Sequence, residues 1–129
     1  MARLMARDHV AQSDIVRKYL GSADIAIGSA NAVTEDGNLL IGSMTGSQLG
    51  PYVGSAADVV LIVGAQKIVK DVNAGPRRLR EYVLPLESER IRSASGTADT
   101  ALNSVLIVMS GRFITGHFTV VLVKQAVGY

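Results

Sequence analysis

The run Asp58-Val59-Val60-Leu61-Ile62-Val63-Gly64 (DVVLIVG) decides the fold class of this chain. Its interior is aliphatic without polar alternation, and it is too short for a core helix. Such a block is apolar toward both faces of a sheet, as a central parallel strand is when helices cover each side. Toward the N-terminus, Asn38 to Ser43 (NLLIGS) reads as a second strand and Ala23 to Ser29 as a loosely alternating first one. These two flank an acidic turn, Thr34-Glu35-Asp36-Gly37. Gly46 to Gly54 reads as a loop entering a short helical turn near Gln48-Leu49, with Pro51 suited to its first turn. Further upstream, Val10, Ile15, Val16, Tyr19 and Leu20 share one helical face, and Gly21 ends that pattern.

Toward the C-terminus, Gln66 to Lys70 is a short connector. From Asp71 to about Ser93, Val72, Leu79, Tyr82, Val83, Leu86 and Ile91 follow helical spacing, with arginines and glutamates opposite. Pro85 is expected to kink or interrupt that helix, because it lacks an N–H and its ring meets the preceding turn. After a polar break at Ser95 to Thr100 come two buried strands, Ser104 to Met109 (SVLIVM) and Thr119 to Lys124 (TVVLVK). Their link, Ser110 to Phe118, is too short for a crossover helix, so the two are expected to pair antiparallel. The fold reading is a single α/β domain over 1–129, with an N-terminal helix in 1–22 and sheet plus covering helices in 23–129. It is a three-layer α/β/α sheet of about five mostly parallel strands with an antiparallel C-terminal pair.

Composition narrows the function classes. The 129 residues are 48% hydrophobic, which supports one domain with a real core and excludes disorder. Thirteen basic against eleven acidic residues leave a scattered charge of +2, which argues against nucleic-acid binding. The absence of cysteine excludes disulfides, thiol catalysis and any iron–sulfur cluster held by this chain. No apolar run approaches the ~20 residues of a membrane span, and the first residues lack the apolar stretch of a secretory signal. The expected location is the cytoplasm.

Candidate site residues concentrate between Ala23 and Tyr52. Glu35, in the acidic turn, can point into a cleft at the sheet edge and serve as a general base, or remain a solvated member of an Asp-Gly hairpin. Gly42, Ser43, Thr45, Gly46, Ser47 and Gln48 form a loop whose glycines allow close approach or positive φ and whose hydroxyls and amide can donate. A helix starting near Ser47 would add free N–H groups for an anion; the alternative is a tight connection whose hydroxyls cap that helix. Neither the P-loop nor the dinucleotide fingerprint fits the glycine spacing, so no nucleotide cofactor is expected. Lys67 and Lys70 follow the carboxyl end of the 58–64 strand, the usual ligand edge of an open α/β sheet, where a lysine can attract a carboxylate or phosphate or stand as a solvated helix-end charge. Arg112 and His117 fall in the last link, and no ligand spacing supports a metal.

The blocks GSANAVTEDGNLLIGSMTGSQL, ADVVLIVGAQKIVKD and LREYVLPLESER, in this order, resemble the lactate-utilisation (LUD) domain family, and the closing VVLVKQAVGY has the shape of its C-terminus. The resemblance spans roughly 23–129 and is greatest to short, stand-alone members. It implies the superfamily of ribose-5-phosphate isomerase, glucosamine-6-phosphate deaminase and CoA transferases. In the CoA-transferase branch a Glu in a similar strand–turn setting is the nucleophile, the role this implies for Glu35. Relatives include a protein of a three-component lactate-oxidising complex whose cysteine-bearing subunits carry iron–sulfur clusters. Similar proteins carry a longer N-terminal region, expected to be missing here together with part of a cleft wall.

Three readings follow. The chain is an accessory or small-molecule-binding subunit of organic-acid utilisation, taking a small organic acid, a phosphorylated metabolite or an acyl-CoA, with iron–sulfur subunits as partners. Alternatively it is an isomerase or transferase using Glu35. Or it is a non-catalytic truncated module whose exposed edges drive homo-oligomer or partner association.

Overall fold

The computed structural model describes residues 14–15, 18–19, 21–96, 100–109 and 117–129. Asp14, Ile15, Lys18 and Tyr19 are helical, as the N-terminal pattern requires. The rest of that helix lies outside the described residues, as do Arg112 and most of the link before His117.

The strands are β1 (Ile25–Gly28), β2 (Ala32–Thr34), β3 (Leu39–Ser43), β4 (Asp58–Gly64), β5 (Ile68–Val69), β6 (Ser104–Val108) and β7 (Phe118–Val123). They divide between two sheets, β1-β4-β7 and β5-β2-β3-β6. The first is wholly parallel; the second joins β2 to β5 in parallel and carries the antiparallel pairs β2–β3 and β3–β6. This mixed α/β content, a mostly parallel arrangement with added antiparallel strands, agrees with the expected three-layer α/β/α class.

Three expectations about the strands are corrected. The last two strands do not pair with each other: β6 lies antiparallel to β3, while β7 lies parallel to β4 in the other sheet. The strand that enters the acidic turn is the short β2, and β1 instead pairs with β4. The strand buried on both faces is β3, not β4. Leu39 and Ile41 join the cluster that contains Val59, Leu61 and Val63, while Leu40 joins Ala32 and Leu79 beneath the helix. The two sheets thus share one core, and among the described residues the helix that carries Leu79 packs on the second sheet. On the first sheet, Ile25, Ile27, Ile62 and Val121 share the opposite face by register, and all four are exposed.

A helical run over 74–95 follows β5. It comprises α1 (Ala74–Arg78), a π-helical turn (Leu79–Val83) and α2 (Leu84–Ser95). Pro85 therefore does not end the helix. The Leu84 N–H donates to Leu79 O, five residues back, so the backbone widens by one residue just before the proline ring. A wider turn removes the clash that an ordinary α register would impose, and Pro85 then occupies the first turn of α2, where its missing N–H costs little.

Candidate functional site

A cleft of about 390 Å³ opens between the end of β3, the helical run and the segment before β6. Its polar wall is Asn31, Ser43, Thr45, Gln48 and Thr100; its apolar wall is Leu79, Val83, Leu84, Ile91 and Leu102. Gly42 forms part of the lining between them.

The polar wall is held by its own side chains. Asn31 accepts the Gly42 N–H on Oδ1 at 2.7 Å, and its backbone N–H donates to Leu40 O at 2.9 Å. Ser43 Oγ accepts the Gly46 N–H at 2.8 Å and donates to Gln48 Oε1 at 2.9 Å, while Gln48 Nε2 donates to Gly42 O at 3.3 Å. Thr45 Oγ1 donates to Ser47 Oγ at 3.1 Å and accepts the Ser47 N–H at 3.4 Å. The N–H groups of Gly42, Gly46, Ser47 and Leu49 are all engaged within the protein, the last on Gly46 O. The loop hydroxyls therefore brace the loop itself, the helical turn that follows has no side-chain cap, and at 49–55 it is too short to focus a dipole on an anion. The opposite rim is tied down through Asn103, whose N–H donates to Ser43 O at 3.1 Å and whose Nδ2 donates to Met44 O at 3.0 Å.

Gly42 is the narrow point. A methyl group at its Cα would stand 2.3 Å from Leu79 Cδ2 and 2.7 Å from Leu102 Cδ1, so only glycine lets the helix and the segment before β6 approach this closely. Gly46 takes φ +75°, the conformation its place in the loop demands.

Four of the expected residues line this cleft: Gly42, Ser43, Thr45 and Gln48. Gly46 and Ser47 stand behind them in the loop. Glu35 is exposed in the β2–β3 turn and is not among the lining residues. That turn is closed locally: the Thr34 hydroxyl donates to Asp36 Oδ1, the Asn38 N–H donates to Thr34 Oγ1 at 2.7 Å, and the Gly37 N–H donates to Thr34 O at 2.9 Å. The one charged residue of the lining, Glu87, bonds Arg90 one turn on, and that contact holds its carboxyl below the usual range.

Lys67 lies elsewhere. It ends a 3₁₀ turn, Ala65–Lys67, directly after β4, and is only 4% exposed. Its Nζ donates to Ser29 Oγ at 3.1 Å. Burial first, and then the nearby Arg78 guanidinium, hold its pKa below the ordinary value.

His117 is buried, with Nε2 2.9 Å from Tyr52 O and Nδ1 3.1 Å from Ala57 O. The ring clamps the ends of the helical turn before β4, and its own carbonyl accepts the Val59 N–H at 2.6 Å. This is structural work, as a solitary histidine in a link suggests.

Sequence reading passes over the helix-borne lining residues and Tyr129. Their helical spacing announces a buried face, but nothing in it separates core from cleft wall.

Among the described residues no group of three or more His, Cys, Asp or Glu can hold a metal, and no helix is long and apolar enough to cross a membrane. No curated protein and no solved structure gives a significant match to the chain. The model of the LUD domain matches residues 2–124, nearly the whole length. On that match, and with the α/β architecture it accompanies, the chain belongs to the LUD domain family.

Proposed function

We propose that this chain is a small-molecule-binding subunit of organic-acid utilisation, and that its ligand is a small hydroxy- or keto-acid held in the cleft beside the 42–48 loop. One observation carries the reading: the polar wall is fixed by its own hydrogen bonds, so it faces an apolar wall across a preformed space. Pre-formed, mostly apolar pockets with a few placed polar groups are the usual form of small-ligand sites, and about 390 Å³ lies at the small end of their range. The family's link to lactate utilisation supplies the ligand class. Calorimetry and thermal shift with millimolar L-lactate, pyruvate and an acyl-CoA test it. Heat and stabilisation with one of the three are expected; none with any would sink direct binding. Copurification with iron–sulfur subunits would extend the reading to a complex.

The enzymatic alternative through Glu35 draws less support, because that carboxylate stands in a solvated turn away from the cleft lining. Self-association is favoured by a separate observation, the exposed apolar face of the β1-β4-β7 sheet, where Ile25 is 58% and Ile27 72% exposed. Parallel sheets are ordinarily covered on both faces, and a second copy offers a matching apolar surface. Sedimentation at high concentration tests this, and a strict monomer would count against it.

A further inference from the structure

The polar wall of the cleft leaves one whole NH2 group unused. The Ser43 hydroxyl donates to Gln48 Oε1 at 2.9 Å, the Thr45 hydroxyl to Ser47 Oγ at 3.1 Å, and the Thr100 hydroxyl to Met44 Sδ at 3.2 Å. Gln48 engages both ends of its amide inside the loop. Asn31 differs. Its Oδ1 accepts the Gly42 N–H at 2.7 Å, which fixes the way the amide faces, and its Nδ2 has no partner among the described residues. An amide nitrogen carries two donors. Anchored through its oxygen and standing in the lining, Asn31 holds a preformed donor for a ligand oxygen.

The apolar wall begins at the same point. A methyl group on Gly42 would stand 3.6 Å from Asn31 Oδ1, 2.3 Å from Leu79 Cδ2 and 2.7 Å from Leu102 Cδ1, so the amide adjoins the first two side chains of that wall. Val83, Leu84 and Ile91 continue it along the helical run. At about 390 Å³ the cleft falls within the range, roughly 300–1,000 Å³, of clefts that enclose drug-sized ligands. A three-carbon acid would offer a single methyl group to these five aliphatic side chains. The described lining holds no lysine, arginine or histidine, and its one charged group is the Glu87 carboxylate, bonded to Arg90. A ligand carboxylate is therefore better placed at the mouth in water than turned inward, where its desolvation is costly.

We infer that the cleft selects α-keto and α-hydroxy acids with a branched, medium-length hydrocarbon tail. The tail lies along Leu79, Val83, Leu84, Ile91 and Leu102, and the α-oxygen accepts from Asn31 Nδ2. This rests on the reading of the cleft as an organic-acid site and narrows it. Asn31 recognises the oxygen, and the helical run measures the tail. Each methylene buried against the wall should strengthen binding roughly fourfold.

The test is calorimetry of the whole chain near neutral pH with pyruvate and with α-ketoisocaproate, the keto acid of leucine. The branched acid is expected to bind at least about tenfold more tightly than pyruvate, from the extra carbons it buries. Leu84→Ala, at a half-buried position, should shrink that preference and leave pyruvate binding unchanged. Asn31→Asp keeps an oxygen for the Gly42 N–H but turns the free donor into an acceptor. It should leave the melting temperature near that of the unaltered protein and weaken α-ketoisocaproate at least about tenfold. Equal affinity for the two acids would overturn this inference and leave the small-acid reading standing. So would full retention of α-ketoisocaproate affinity in Asn31→Asp. Binding of neither acid to the unaltered protein would overturn both.

Discussion

Replacing Gly42 with alanine tests the packing that shapes the cleft. The added methyl would meet Leu79 Cδ2 at 2.3 Å, about 1 Å inside the 3.4 Å at which ordinary contact begins, and Leu102 Cδ1 at 2.7 Å. Leu79 is 1% exposed and packed on Leu40 and Ala32, so it has little room to retreat. Forcing a methylene-sized group into a packed interior costs about 1–3 kcal/mol. Alanine recovers roughly 0.5–1 kcal/mol over glycine inside a strand, through the smaller backbone entropy it loses on folding. The net expectation is a loss of about 1–2 kcal/mol, or a fall in melting temperature of roughly 4–8 °C for a domain of this size. Urea unfolding should show a lower midpoint at unchanged slope. Leu102→Ala in the same chain removes one of the two obstructions. The double variant should be more stable than the sum of the single effects by at least about 0.5 kcal/mol. A Gly42→Ala protein as stable as the original, or strictly additive effects, would refute the close-packing account.

Three further outcomes follow from the site geometry. Glu35→Gln should change stability by less than about 0.5 kcal/mol in urea unfolding, since the side chain is exposed in its turn; a larger loss would mean the carboxylate has an interior partner. Lys67 titrates below its ordinary value of 10.5 in the folded chain, because burial and Arg78 disfavour the charged form. Between that lowered value and 10.5 the unfolded chain binds more protons, so this residue's contribution to stability rises with pH and is lost as pH falls through the folded value. Burial raises the Tyr52 pKa above 10.0 and acts in the opposite sense at higher pH, so the slope is best read below pH 10.0, where Lys67→Met should flatten it. A steeper slope in the variant would reverse the assignment. His117→Phe keeps a planar ring but removes the nitrogens facing Tyr52 O and Ala57 O, and should cost about 1–3 kcal/mol in chemical unfolding. A neutral result would show that water replaces the ring nitrogens.

The sequence by itself determined the elements and the class. Aliphatic blocks within 38–43, 58–64, 104–109 and 119–124 could be little but strands, and the charged-versus-apolar spacing from 71 to about 93 could be little but a helix. Asp36-Gly37 marked the hairpin turn through local chemistry alone, and Gly42 to Gln48 marked the loop, four of whose residues line the cleft. These features are written in neighbouring residues, which is why they were legible. Tertiary structure decided which strand meets which. An aliphatic strand reports that it is buried but carries no label for its partner, so β6 and β7, separated by a short link, could go to different sheets. It also decided which face is covered: β3 lies between the shared core and the helix, whereas β4 keeps one face toward solvent. Pro85 announced an interruption, and the chain absorbed it with a π-helical turn that starts at Leu79, the residue packed against Leu40 and Ala32. Lys67 carried an ambiguous local signal. A lysine just after a strand can be a ligand-edge charge or solvated, and only the approach of Ser29 and Gly128 from distant parts of the chain accompanies its burial.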